Sequence, residues 1–149
     1  GARPAGLYAQ TSMRIEKGFC AMGHELDSDV SPVDTGLDFA TRKEGGFIGA
    51  EALAERRKIK GSSSLISLKF QDEKAVPLGH EPIYYDGDII GQTSSCAFGY
   101  RIGKPVALGK VHNRMSSGTA VKVDIARQLF DATLFTCPIF DAKAHRMKS

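Results

Sequence analysis

Few residues in this chain have the types and the spacing that chemistry requires. Cys20 and His24 are four residues apart, which would place two metal ligands on one face of a helix. Gly23 lies between them and disfavours a helix, and no further Cys or His lies nearby to complete a site. A small buried cysteine and an unrelated histidine are the better interpretation, so we predict no metal site.

Arg14 and Glu16 are a second candidate pair. Their spacing of two residues places them on different sides of a helix, so they cannot face each other as an acid and a base. Each is expected instead to tie the end of a helix to a neighbouring loop or subdomain. The rest of the sequence shows no nucleophile–base pair and no G-x-G-x-x-G dinucleotide motif.

The composition indicates a globular protein and gives no sign of a nucleic-acid site or a membrane span. Hydrophobic residues make up 42% of the chain and charged residues 25%, with a net charge of +3. The densest basic run, residues 56–58, follows Glu51 and Glu55 and therefore indicates a solvated helix face rather than a nucleic-acid site. No apolar stretch approaches the ~20 residues of a membrane span. Three widely spaced cysteines favour a reducing compartment.

The first sixty residues predict short helices in irregular chain. Pro4 and Gly18 are suited to the start and the end of a first helix, and residues 50–59 predict a second. Residues 37–41 predict a short strand. Residues 1–60 offer little sheet for the first helix to pack against, so we expect part of its partner surface to be missing from this chain. The polar run at residues 61–64 is the predicted boundary between two units.

The remaining residues predict an all-β unit. Residues 66–70 alternate between apolar and polar side chains, as in a half-buried strand. Asp86-Gly87 supplies a type I′ turn for a hairpin, and a second hairpin is predicted over residues 126–127. The predicted fold class is therefore α+β, with a short helical and irregular segment over residues 1–60 and a small antiparallel β-barrel over residues 61–149.

Seven segments, in order along the chain, resemble one family. Together they resemble the C-terminal part of the glycine-cleavage T-protein (aminomethyltransferase) family. The residues of two segments, at 13–18 and 47–53, are more similar to the folate-binding tails of sarcosine and dimethylglycine dehydrogenases than to a free-standing T-protein. The segments are MRIEKG at 13–18, GHEL at 23–26, SPVDTGL at 31–37, FIGAEAL at 47–53, PLGHEPIY at 77–84, IGQTSS at 90–95 and KPVALGKV at 104–111.

The resemblance implies a fold around a channel that holds tetrahydrofolate. In the dehydrogenase members an upstream FAD domain oxidises an N-methyl amine, and the folate captures the one-carbon unit. The family's catalytic aspartate lies upstream of the matched region, so the resemblance assigns this chain no catalytic residue, and the chain alone is not expected to catalyse a reaction. Its expected partners are the upstream domains of the same enzyme or a partner oxidase subunit.

The role of the chain, its oligomeric state and its compartment stay open at this stage. The chain could be a non-catalytic, T-protein-like scaffold that packs against an oxidase. It could also form a homo-oligomer, which would cover an exposed apolar face. Free thiols are compatible with the bacterial cytoplasm, which we favour, and with the mitochondrial matrix.

The resemblance also suggests three folate-binding residues. Phe39 falls where the family places an aromatic side chain that contacts the flat part of the folate, although it could equally be a core phenylalanine. Gln10 falls where T-proteins carry an arginine, and a glutamine there offers hydrogen bonds without charge. Tyr100 could line the mouth of the channel or simply cover the end of the barrel.

Overall fold

The structure is a computed structural model, and it describes residues 1–59 and 63–148. Two helices and a short 3-10 helix precede six strands, and a short helix follows them. The helices are α1 (Leu7–Glu16), the 3-10 helix (Asp38–Ala40), α2 (Ala50–Lys58) and α3 (His145–Lys148). The strands are β1 (Ser64–Phe70), β2 (Pro82–Tyr85), β3 (Asp88–Gly99), β4 (Lys104–Val111), β5 (Ala120–Ile125) and β6 (Gln128–Phe135).

The six strands close into an antiparallel barrel. The strand order is β1-β4-β3-β2-β5-β6, and pairing of β6 with β1 closes the ring. Closure gives every strand two neighbours, although β2 and β5 pair at only two positions, Ile83 with Val123 and Tyr84 with Lys122. The α+β fold class and the predicted antiparallel barrel are both confirmed.

Both predicted hairpin turns form. Asp86 and Gly87 have φ values of 52° and 89°, as the type I′ turn between β2 and β3 requires. Ala126 and Arg127 join β5 to β6 with φ values of 51° and 68°, although neither residue favours that region. The second turn is therefore set by the pairing of the two strands rather than by its own residues.

Side chains that alternate along the strands fill the inside of the barrel. Ile66, Leu68 and Phe70 of β1 point inward, as predicted, and each is at most 2% exposed. They meet inward-facing residues of the other strands, among them Ile83 and Leu134. Burial of such side chains is the main stabilising term for a unit of this size.

The outer face of β4 is also buried, because α1 lies across it. Val106 and Leu108 point out of the barrel and pack against Ile15 of α1 in a second, smaller core. Strand β4 is therefore apolar on both faces, which is otherwise typical of strands covered by helices on both sides. The partner surface of α1 lies in the barrel, at a strand far from it in sequence.

Two predicted elements are corrected, and the predicted boundary between two units stays a prediction. Helix α1 begins at Leu7 rather than near Pro4, because Gly6 adopts an extended conformation (φ −78°, ψ 165°) and glycine is costly inside a helix. Residues 37–41 do not form a strand, since Asp38 accepts hydrogen bonds from Thr41 that hold the 3-10 turn. Of the predicted boundary at 61–64, Ser64 already belongs to β1, and residues 61–62 lie outside the described residues.

Candidate functional site

A cavity of about 800 Å³ lies against the outer side of the start of β1. The chain that follows α1 and the loops after β4 and β6 form the rest of its wall. The wall is mainly apolar, with Phe19, Phe39, Leu65 and Met115 among its residues. Its volume is within the range of pockets that bind small molecules and cofactors. This cavity is the best candidate for a ligand site among the described residues.

Phe39 has the position and the exposure that a stacking residue needs. Its side chain lines the cavity and is 81% exposed, because it lies on the 3-10 helix (Asp38–Ala40) rather than on a core strand. A ring with a free face can stack on a flat aromatic ligand without rearrangement of the core. The interpretation of Phe39 as a plain core residue does not fit this exposure.

Gln10 and Tyr100 do not line this cavity. Gln10 is an exposed residue of α1. Tyr100 follows β3 directly, is 80% exposed and packs edge-on against Phe98 with ring centroids 5.2 Å apart. Strand β3 runs through Ser94 and Ser95 and ends at Gly99. Tyr100 therefore belongs to the turn between β3 and β4. The three candidate residues are not brought to one cavity, and a folate contact for each stays a prediction.

Arg114 is a cavity residue that the sequence did not single out. It lies in the connection between β4 and β5 and lines the same cavity as Phe39, 75 positions away in the chain. A guanidinium group can pair with a ligand carboxylate through two parallel hydrogen bonds. No local motif surrounds Arg114, so only the closed barrel reveals its proximity to the cavity.

Arg14 and Glu25 form a buried ion pair beneath α1. The Nη1 atom of Arg14 lies 3.0 Å from Oε2 of Glu25, whose side chain is fully buried. Ser94 donates a hydrogen bond of 2.7 Å to the same carboxylate, and Nη2 of Arg14 donates one of 2.7 Å to Ser95. Consecutive strand residues normally point to opposite faces, but β3 has a bulge at Ser94, which explains how both hydroxyls reach this cluster.

The cluster keeps Glu25 ionised. Burial raises the pKa of Glu25, but hydrogen bonds from Ser95 and Ser94, a bond from the Ala21 N–H and the Arg14 charge together lower it below its ordinary value. A carboxylate so fully supplied with donors is a poor proton acceptor near neutral pH. We therefore assign the cluster to structure, as predicted for Arg14, and not to acid–base chemistry.

Acid is expected to weaken the fold through Glu25. Because its pKa is lower in the folded chain, its contribution is complete above the ordinary glutamate pKa of about 4.3 and is lost as the pH falls through the folded value. Urea unfolding of the wild type and of Glu25→Gln at pH 7, 5, 4 and 3 checks this. The difference in unfolding free energy between the two should shrink below about pH 4.3; a constant difference would contradict the assignment.

Glu16 holds the turn between β3 and β4. Its Oε1 atom accepts hydrogen bonds from the backbone N–H groups of Arg101 (2.7 Å) and Ile102 (3.1 Å). Gly99 makes room for it, since a Cβ at Gly99 would lie 2.9 Å from the same oxygen. The prediction that Glu16 ties the helix end to a loop is confirmed.

Cys20 and Cys96, which are both partly buried, are not activated as nucleophiles. Burial raises the pKa of Cys20, and the nearby Glu25 carboxylate raises it further. Burial, with a smaller effect of Glu81, raises the pKa of Cys96 to about 12. A thiol must lose its proton to attack as a nucleophile, so neither cysteine is suited to that role at neutral pH. The described residues contain no group of three or more His, Cys, Asp or Glu arranged to hold a metal ion. Within the same residues, no helix has the length and apolarity to cross a bilayer.

Comparison with known proteins identifies the family. Residues 64–141 match the profile of the glycine cleavage T-protein C-terminal barrel domain, and residues 1–45 match that of the GCVT N-terminal domain. The first match covers the whole barrel and more than half of the chain. This chain belongs to the glycine cleavage T-protein family.

Similar proteins include both dehydrogenases and aminomethyltransferases. Mitochondrial dimethylglycine dehydrogenase of Mus musculus is 31% identical over 90% of this chain, which spans 16% of that relative. The aminomethyltransferase of Corynebacterium aurimucosum is 31% identical over 94% of the chain, which spans 38% of it. The crystal structure of the aminomethyltransferase T of Bartonella henselae superposes with a TM-score of 0.80 at 27% identity, over 90% of this chain and 38% of that one.

Proposed function

We propose that this chain is the C-terminal portion of a tetrahydrofolate-dependent, aminomethyltransferase-like module in a flavin-dependent dehydrogenase of sarcosine or dimethylglycine. Such an enzyme removes methyl groups from N-methyl amines by oxidation. Tetrahydrofolate would supply the acceptor for the one-carbon unit. The chain's own contribution is to form part of the wall against which the folate rests.

The exposed ring of Phe39 at the 800 Å³ cavity is the observation that carries this proposal. A folate has a flat, fused ring at one end and carboxylates at the other. The cavity offers an aromatic ring for the first and the Arg114 guanidinium for the second. The rest of the wall is mainly apolar, which suits the aromatic middle part of such a ligand.

Replacing Phe39 by alanine is expected to weaken tetrahydrofolate binding about fivefold, because stacking on the ring is worth about 1 kcal/mol beyond area burial. Isothermal titration calorimetry of the purified chain with tetrahydrofolate measures this directly. Phe47→Ala is the matched control. Phe47 is also partly exposed but lines a different cavity, of about 600 Å³, beside α2.

The outcome also decides between an enzyme module and a scaffold. Equal losses for Phe39→Ala and Phe47→Ala would mean that the cavity does not hold the ligand. A folded chain that binds no tetrahydrofolate, alone or within the longer polypeptide, would favour the scaffold alternative. That alternative has its own support, since the buried carboxylates Glu16 and Glu25 are both fully engaged in holding the fold together.

A further inference from the structure

Two of the three cysteines lie in the wall of the cavity of about 800 Å³. Cys20 follows α1, and Cys137 follows β6, more than a hundred residues later in the chain. Cys20 belongs to the segment that matches the N-terminal domain, and Cys137 belongs to the segment that matches the barrel domain. Both are free thiols, with Cys20 partly buried and Cys137 exposed. The wall therefore carries one thiol from each of two domains.

The chain segments that carry these two cysteines lie side by side. The N–H of Phe140 donates a hydrogen bond of 3.0 Å to the carbonyl oxygen of Glu16. Two residues further along one segment and two residues back along the other, a Cβ at Gly18 would lie 3.6 Å from the Cα of Pro138. The segments therefore run in opposite directions, and the two cysteines lie just beyond the last of these contacts.

Both segments are free to adjust so that the thiols meet. A disulfide requires Cα atoms about 4.4–6.8 Å apart. Cys20 and Cys137 lie outside the helices and strands, and within residues 1–59 and 63–148 neither makes a hydrogen bond. No backbone ladder has to break when the two segments shift. Cys96 is different, because it is held in β3 and packs against the core inside the barrel.

We propose that Cys20 and Cys137 form a redox-sensitive disulfide that links the N-terminal-domain segment to the barrel at the wall of the cavity. The oxidant is a low-molecular-weight disulfide such as oxidised glutathione. The thiolate of Cys137 attacks one sulfur of this disulfide, the S–S bond breaks, and one glutathione leaves and takes up a proton. Cys20 then loses its proton, attacks Sγ of Cys137 and releases the second glutathione. The two side chains give up two hydrogens in total, and one oxidised glutathione becomes two thiols.

The low reactivity of Cys20 is compatible with its place in the second step. Burial raises the pKa of Cys20, and the Glu25 carboxylate raises it further, so Cys20 competes poorly for an oxidant in solution. Once Cys137 carries glutathione, the attack takes place within one molecule, where the effective concentration of the neighbouring thiol is high. Reduced glutathione reverses the exchange, so the link follows the redox state of the thiol pool.

Peptide mapping of the full-length enzyme that contains this chain tests the link. After treatment with oxidised glutathione and blocking of free thiols, we expect a pair of peptides joined through Cys20 and Cys137, which dithiothreitol separates. Cys20→Ser should leave glutathione on Cys137, and the control Cys96→Ala should keep the link. A wild-type enzyme in which Cys137 stays unmodified, or carries glutathione without joining Cys20, would overturn the proposal.

Thermal unfolding of the 149-residue chain measures the effect of the link on the fold. The disulfide closes a loop of more than a hundred residues, so the oxidised chain should melt roughly 5 to 15 °C above the reduced chain. This difference should vanish in Cys137→Ser and persist in Cys96→Ala. Equal melting temperatures for the linked and the reduced wild-type chain would overturn the disulfide as a link between the two domains. Neither measurement involves folate, so its failure would leave the proposed function in place.

Discussion

Replacing Arg14 by methionine is expected to lower the free energy of unfolding by about 3 kcal/mol or more, because it leaves a buried carboxylate without its counter-charge. Glu25 is fully buried and Arg14 is only 14% exposed, so water cannot take the place of the lost guanidinium. Ser95 also loses the hydrogen bond that Arg14 donates to it. Urea unfolding of the 149-residue chain, followed by circular dichroism, measures the change.

The control for Arg14→Met is Lys122→Met. Lys122 and Asp131 form an ion pair between β5 and β6 at 2.7 Å, but both side chains are more than half exposed. Pairs of that kind contribute between about 0 and 1 kcal/mol. Arg14→Met should also raise the pKa of Glu25, which carboxyl-carbon NMR can follow. Similar losses in the two variants, or an unchanged Glu25 titration, would remove the buried pair from the account of stability.

The sequence predicted one side of this cluster and missed the other. A helix-end role for Arg14 followed from its spacing to Glu16, since the two side chains could not meet. Glu25 lies in a turn-rich segment, and Ser94 and Ser95 were noted only as part of the family-like segment IGQTSS at 90–95. Only the bulge in β3 brings both serines to one face, and a bulge depends on how two strands pair rather than on local residue preference.

Strand β4 shows a signal that was present in the sequence but not used. Residues 105–109 are buried without a break, whereas a barrel strand open to solvent alternates. An unbroken apolar run in a barrel implies that another element covers its outer face. The expectation that α1 lacked a partner came from searching residues 1–60, while the covering contact joins α1 to a strand about ninety residues later.

The candidate site was the least predictable part. Phe39 was found through family resemblance alone, with a predicted strand that the structure replaces by a 3-10 turn. That replacement is what exposes the ring at the cavity. Arg114 had no local signal at all, because its place in the cavity wall depends on the closure of the barrel. Hydrophobic pattern and turn residues thus predicted the architecture, whereas long-range pairing determined the composition of the cavity wall.

Replacing Gly91 by alanine is expected to lower the free energy of unfolding by about 3 kcal/mol or more, because the barrel has no space for a Cβ at this position. An added Cβ would overlap the carbonyl oxygen of Lys110 and lie 2.8 Å from the Cα of Val111. These are backbone atoms of β4 that pair with β3, so they cannot move aside as a flexible side chain would. The register of β3 shifts next to Gly91, where Ile83 pairs with Gly91 and Tyr84 pairs with Ile89, and the bend there explains the close approach.

Differential scanning calorimetry of Gly91→Ala should therefore show a fall in Tm of about 10 °C or more, or no cooperative transition at all. Gln92→Ala places the same side chain at the next position of the strand, where the native side chain is exposed, and should change stability by less than about 0.5 kcal/mol. Gly91 does not have a positive φ, so backbone strain does not contribute to the expected loss. A Gly91→Ala chain that melts within two or three degrees of the wild type would mean that β4 can shift away from β3, and that the closed barrel is less tightly packed than its contacts indicate.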